Sequence, residues 1–200
     1  MKPNRNRIPV ITYGLIVVNI IVFVIELMMG GFDHTSGAIR YGALYTPLVI
    51  GQGEWYRVVT ACFLHFGAHH LGMNMISLYA IGPYAELYYG KIRYLIIYML
   101  SGIGGNFLTM LVESMTGRFA LSAGASGAIC GLMGVLVIFA FIPGLKRIFP
   151  ARRVLGAVVL MLLPGITDRS ISLTAHLGGL ISGIIIAGIF QKVFFKHQGD

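Results

Sequence analysis

Six stretches of the chain are apolar over most of their length, and short charged segments separate them. A membrane-spanning helix needs about 20 mostly apolar residues. The spans predicted on this basis cover residues 8–29, 69–89, 92–112, 126–142, 154–167 and 173–195. The fourth and fifth are short, and the second ends near Pro83 or Gly90. The pattern therefore predicts an all-α, polytopic membrane protein in which residues 1–200 form a single domain with six transmembrane helices.

Composition agrees with a protein surrounded by lipid. The chain is 56% hydrophobic and only 11% charged, whereas soluble domains carry about 25% charged residues. The net charge of +8 at first suggests a nucleic-acid partner. The basic residues, however, lie in short clusters between apolar runs, which is typical of juxtamembrane anchors. We therefore expect the lipid bilayer as a partner and no nucleic acid.

The basic residues also predict the orientation. Eleven Lys and Arg residues lie before the first span, between the second and third, between the fourth and fifth, and after the sixth, and four lie on the other side. The positive-inside rule then places both termini in the cytoplasm. The basic start at residues 2–7 precedes an apolar run of span length without an A-x-A-like exit, so we expect a retained first helix. The short chain, without an added domain or organelle signal, suggests a bacterial plasma membrane.

The longest loop, residues 30–57, lies on the outer side in this topology. It is rich in apolar and aromatic residues, including Trp55 and Tyr56. Aromatic side chains favour the membrane–water interface, so we expect an interfacial loop.

Polar residues cluster where the second, fourth and sixth spans begin, all on the outer side. They are His65, His69, His70 and Asn74 at the second span, Ser126 at the fourth and His176 at the sixth. Polar groups in a membrane are costly and tend to face the protein interior or water. Each alone can be read as an interhelical hydrogen-bonding group, but their shared depth on alternate helices indicates a site.

Small residues surround two of these groups. Ser126 stands in the stretch Gly124–Gly134, beside Gly127. His176 shares a helical face with Gly179 and Gly183, at spacings of three and seven. Such faces let helix backbones approach closely in a membrane. If the two faces meet, the serine and the histidine meet as well.

These residue types suit acyl transfer. A serine becomes a nucleophile when a base removes its proton, and neutral histidine is the usual base. His70, Asn74 and the backbone N–H groups near Ser126 can donate hydrogen bonds to a developing oxyanion. No carboxylate lies near His176 in the sequence, so the pattern favours a Ser–His dyad without a third acid.

Three motifs resemble the rhomboid family of intramembrane serine proteases. They are the run G-E-W-Y-R-V-V-T-A-C-F-L-H-F-G-A-H-H-L-G-M-N-M, the segment Gly124-Ala125-Ser126-Gly127, and Ala175-His176 with Gly179 and Gly183. The resemblance covers roughly residues 53–190.

The resemblance implies a role for each matching residue. Ser126 would be the nucleophile and His176 the general base, with His70, Asn74 and the Ser126 amide as the oxyanion site. Trp55, Arg57 and His65 would be structural, as would the glycines Gly124, Gly127, Gly179 and Gly183. The implied activity is cleavage of transmembrane protein substrates near the outer face, without a cofactor or metal. His69 is predicted to be interfacial.

One departure from the family pattern is Cys130, because many relatives carry an aromatic residue there that packs on the histidine. A thiol offers less stacking area for the His176 ring. Cys62 and Cys130 have no disulfide-framework or metal-site spacing.

Two other functions stay open at this point. A catalytically silent scaffold of the same fold would bind client helices, although such relatives tend to lose the serine or the histidine, and both are present here. A transporter or metal site could use His65, His69 and His70, but this cluster lacks the H-E-x-x-H pattern.

Overall fold

The structure is a computed structural model that describes residues 8–30, 35–168 and 171–194. Over these ranges the chain forms helices and no strands; its one isolated β-bridge joins Leu44 to Ser122. The helices are α1 (Val10–Met28), α2 (Thr35–Tyr41), α3 (Thr46–Gln52), α4 (Arg57–Thr60), α5 (Ala68–Tyr89), α6 (Lys91–Thr116), α7 (Ser126–Phe139), α8 (Ala151–Leu162), α9 (Pro164–Thr167) and α10 (Leu173–Phe194). The predicted all-α class is confirmed. Within the described ranges, α1, α6 and α10 are long and apolar enough to cross a membrane, and α7 is a shorter apolar helix.

Pro83 does not interrupt the predicted second span, whereas Pro164 divides the predicted fifth span. Helix α5 continues through Pro83 and ends at Gly90, where φ is +79°. Among membrane helices such a proline is tolerated because local adjustments satisfy the freed carbonyl. The predicted fifth span is instead divided into α8 and α9. Pro164 has no N–H and clashes with the preceding turn, so it ends one helix and takes the first position of the next. Residue 195, the predicted end of the sixth span, lies outside the described residues.

Helices α6, α7 and α10 form the centre of the molecule. Glycines on α7 and α10 face each other, and a Cβ at either Gly179 or Gly183 would overlap the backbone of Gly127 or Gly131 respectively. Helix α6 approaches through Gly105, where a Cβ would lie 2.5 Å from the Ala175 carbonyl oxygen. The predicted small-residue faces therefore meet, and backbone contact fixes the separation of α7 and α10.

Helix α1 is attached to the far end of α5 by one carboxylate. Glu86 accepts hydrogen bonds from the Ile11 amide at 2.9 Å, the Thr12 amide at 2.7 Å and the Thr12 hydroxyl at 2.8 Å. The first amides of a helix lack intrahelical partners, so Glu86 caps α1 from a neighbouring helix. Most other α1 side chains outside this contact line are exposed in the isolated chain, as expected of a helix in lipid.

Candidate active site

Ser126 is the first residue of α7, and a glycine turn sets its position. Gly124 has φ +134°, and its amide donates to the Ala61 carbonyl at 2.8 Å. Only glycine adopts this backbone region without strain. The turn places the Ser126 amide among the first N–H groups of the helix, which have no partner within the helix.

His176 lies in the first turn of α10 and is 7% exposed. Its neighbour Ala175 has its carbonyl oxygen 3.4 Å from the Cβ position of Gly127, the residue after Ser126. The residues next to the serine and next to the histidine thus approach each other closely across the α7–α10 interface. Within the described residues, the Nδ1 atom of His176 is buried without a hydrogen-bond partner.

Among the described residues, His176 Nδ1 makes no hydrogen bond, either to the Ser126 hydroxyl or to any other group. Catalytic hydrogen bonds are often long without substrate and shorten in the complex. The geometry therefore brings the two residues to the same interface and leaves His176 Nδ1 without a partner among the described residues.

His70 lies against the same turn. A Cβ at Gly124 would be 2.9 Å from His70 Nε2 and 3.5 Å from Ser126 Oγ, so these two atoms flank one point. The Phe66 amide donates to His70 Nδ1 at 3.3 Å. Since Nδ1 accepts, the hydrogen of the neutral ring is on Nε2, and Nε2 is a donor beside the serine.

Asn74 follows His70 by one helical turn and is 6% exposed. Its Nδ2 group is buried and makes no hydrogen bond to any described residue. A buried unpaired donor is costly. Asn74 thus keeps a free N–H pair on the helix face it shares with His70.

His65 is fully buried just before α5. Its Nδ1 atom lies 3.1 Å from the Phe63 carbonyl oxygen, and its ring meets the His70 ring edge-on at 5.1 Å. Burial, and then the neighbouring His70, lower the pKa of His65 to about 4, so the ring is neutral at pH 7. His65 packs behind His70, whereas His69 is exposed.

Arg57 links distant parts of residues 39–57. Arg57 is 3% exposed, and its side chain pairs with Glu54 at 2.5 Å. It also donates to the carbonyls of Ile39 at 2.8 Å and Ala43 at 3.0 Å. Trp55 is half exposed, with its ring 6.4 Å from that of Phe107 on α6. The structure thus places Arg57 as an internal crosslink of the segment and Trp55 on its surface.

Three hydroxyl groups that were not predicted from the sequence form a cluster at the start of α10, close to His176. One comes from α6 and two come from the residues that precede His176 in the chain. Thr109 Oγ1 on α6 is 3.2 Å from Ser172 Oγ and 2.9 Å from Thr174 Oγ1, and the latter two are 3.0 Å apart. Ser172 Oγ also accepts from the Ala175 amide at 3.2 Å, which caps α10. The only sequence signal was a serine just before an apolar run, a common N-cap pattern.

Cys130, the departure from the family pattern, is buried on α7, and both Cys62 and Cys130 are free thiols. Ser126 and Cys130 are separated by one helical turn.

Comparison with known proteins gives a consistent result. A family model described as the Rhomboid domain matches residues 52–193. "Rhomboid protease GluP" of Bacillus subtilis (strain 168) is 33% identical over 188 residues, which is 92% of this chain and 35% of that protein. "Putative rhomboid protease YdcA" of the same organism is 34% identical over 141 residues, covering 70% of this chain and 69% of the relative.

The similarity extends beyond bacteria. "RHOMBOID-like protein 1" of Arabidopsis thaliana is 34% identical over 175 residues, covering 80% of this chain and 42% of that protein. The chain thus spans between about one third and two thirds of these relatives. The family match includes every residue singled out at the site, from Trp55 to Gly183. The chain belongs to the rhomboid family and is a multi-pass integral membrane protein.

Proposed function

We propose that this protein is an intramembrane serine endopeptidase that cleaves transmembrane substrates near the outer membrane face with a Ser126–His176 dyad. The observation that carries the proposal is the close approach of the Ala175 carbonyl to Gly127. Ala175 precedes His176 on α10 and Gly127 follows Ser126 on α7, so the histidine and the serine are on adjoining parts of the two helices. The names of these relatives, which call them proteases, support the same activity.

In the proposed mechanism, Ser126 Oγ attacks the carbonyl carbon of the scissile peptide while His176 takes its proton. His176 then gives this proton to the departing amine, and the C–N bond breaks to leave an ester on Ser126. A water molecule, deprotonated by His176, attacks the ester; the bond between the acyl carbon and Ser126 Oγ breaks, His176 returns the proton to Oγ, and the new carboxyl terminus is released. Side chains, backbone and water supply every group, so the chemistry requires no cofactor or metal.

The oxyanion of each tetrahedral intermediate would be held by His70 Nε2–H, Asn74 Nδ2 and the Ser126 amide. Two observations support these donors: the Phe66 amide fixes the His70 hydrogen on Nε2, and Asn74 Nδ2 is buried without a described partner. Donors already in place lower the barrier because they need no reorganisation when charge develops.

The proposed topology has six spans with both termini in the cytoplasm, which puts Ser126 and His176 near the outer face. Water can enter a cavity from that side, and a substrate helix must unwind locally to expose its peptide bond. Substrates with Gly or Pro near the cut would unwind at lower cost. The plasma membrane of a bacterium is the proposed location.

Cleavage of a panel of single-span proteins in proteoliposomes, with the cut sites mapped, tests this function. We expect Ser126→Ala to abolish cleavage while Ser114→Ala, an exposed serine at the end of α6, cleaves at the wild-type rate. Both variants should unfold at the wild-type temperature. Undiminished cleavage by Ser126→Ala would overturn the proposed nucleophile, and absence of cleavage by the wild type would favour a scaffold that only binds client helices.

A further inference from the structure

A rigid turn joins α7 to α8 at the end of the bundle where α5 also ends. Four backbone hydrogen bonds of 2.9 Å organise it, from Leu145 and Lys146 to the Ile142 carbonyl and from Ile148 and Phe149 to the Leu145 carbonyl. The Phe149 ring anchors the turn, packing 5.2 Å from Tyr84 on α5 and 5.4 Å from Phe139 on α7. The segment is therefore a preformed surface feature.

This turn and the start of α8 display four basic side chains within eight residues. Lys146 and Arg147 are exposed on the turn, and Arg152 and Arg153 are exposed on the first turn of α8. No Asp or Glu occurs between residues 114 and 167. Glu86, the acid of the adjoining end of α5, is buried and engaged with α1. The positive charge is therefore not neutralised by nearby carboxylates of the described chain.

Apolar side chains border the basic groups. Phe141 is 71% exposed and Ile148 is 58% exposed, on either side of Lys146 and Arg147. Helix α8 also exposes apolar side chains. Among its residues only Val154 is buried, and Leu155, Val159 and Leu160 are exposed. Basic side chains beside exposed aromatic and aliphatic ones suit the boundary between lipid headgroups and acyl chains, where charged and apolar groups both find partners.

We propose that residues 141–153 form a binding surface for the headgroup of an anionic phospholipid. The phosphate lies among Lys146, Arg147, Arg152 and Arg153, and Phe141 and Ile148 contact the acyl chains. Charge complementarity selects this occupant over a zwitterionic lipid, since four bases without a nearby acid favour a net negative headgroup. The proposal is independent of the proteolytic activity.

The expected effect follows from the strength of such contacts. Each Lys or Arg near an anionic surface strengthens binding about fivefold, so loss of two bases weakens it about 25-fold. Loss of the same charge elsewhere on the protein has a much smaller effect, because salt screens separated charges over about 10 Å.

The test is a titration of the purified full chain in neutral detergent with phosphatidylglycerol, counting bound lipids by native mass spectrometry. The variant is Arg152→Gln/Arg153→Gln. The control, Arg40→Gln/Arg118→Gln, removes two exposed bases from α2 and from the α6–α7 connection. Phosphatidylcholine is the neutral competitor. If the first variant fails to fold, Lys146→Gln/Arg147→Gln replaces it.

We expect the tightest phosphatidylglycerol site to weaken about 25-fold in the 152/153 variant and by less than about twofold in the control. Equal losses in both variants would show that only net charge attracts lipid, and would overturn the proposal. Equal binding of phosphatidylcholine and phosphatidylglycerol by the wild type would overturn it as well.

Discussion

Replacing Gly179 with Ala adds a methyl group at the point where α7 and α10 are closest. The new Cβ would overlap the Gly127 carbonyl oxygen and lie 2.7 Å from its carbon. Ordinary van der Waals contact begins near 3.4 Å, so the helices must separate by at least about 0.7 Å, and His176 moves with α10. Misplacing a reacting group by about 1 Å can cost about 100-fold in rate. We expect Gly179→Ala to cleave about 100-fold more slowly, with about 1–3 kcal/mol lower stability from overpacking.

The matched control is Gly188→Ala on the same helix. The nearest atom to its added Cβ is Ile138 Cδ1 at 3.9 Å, an ordinary contact. The assay is the initial rate of cleavage of a fluorogenic transmembrane peptide in proteoliposomes, with the unfolding temperature of each variant measured in detergent. We expect Gly188→Ala to retain the wild-type rate. If Gly179→Ala matched Gly188→Ala in rate, the α7–α10 spacing would not set the dyad geometry, and this reasoning would be refuted.

Three further predictions test the surroundings of the site. Thr109→Ala should lower kcat about tenfold with little change in KM, because α6 loses the hydroxyl that contacts Ser172 and Thr174 at the start of α10, and Thr109→Ser should keep the wild-type rate; a raised KM with unchanged kcat would contradict this. Glu86→Ala should lower stability by about 3 kcal/mol, seen as a lower unfolding temperature, because the Thr12 amide loses its partner; an unchanged temperature would argue against the cap. For His65, the folded pKa near 4 lies below the ordinary value of about 6.5, so its contribution to stability is complete above pH 6.5 and is lost as pH falls towards 4. The unfolding temperature of His65→Gln should therefore depend less steeply on pH than that of the wild type, and parallel curves would be inconsistent with a buried neutral ring.

Local patterns were sufficient to predict the main helices and the meeting of the two glycine faces. Apolar length indicated α1, α6 and α10, and the spacing of Gly179 and Gly183 placed them on the face of His176. Both signals depend on residues a few positions apart, which a helix brings to one face.

Contacts between distant parts of the chain could not be predicted in this way. Arg57 pairs with carbonyls 14 and 18 residues away, and Glu86 caps a helix 74 residues earlier. Nothing local to these residues specifies such partners. The division of the fifth span was accessible in principle, because Pro164 cannot continue a helix without losing a hydrogen bond. The length of the apolar stretch alone predicted one continuous span over residues 154–167.

The central claim is that His176 activates Ser126, and covalent labelling tests it most directly. The purified protein is treated with a serine-directed fluorophosphonate, and the modified residue is identified by mass spectrometry of peptides. We predict a single modification on Ser126 in the wild type and in Gly188→Ala, and its loss in His176→Ala, with both variants folded. Labelling of another residue, or undiminished labelling of Ser126 in His176→Ala, would contradict the claim.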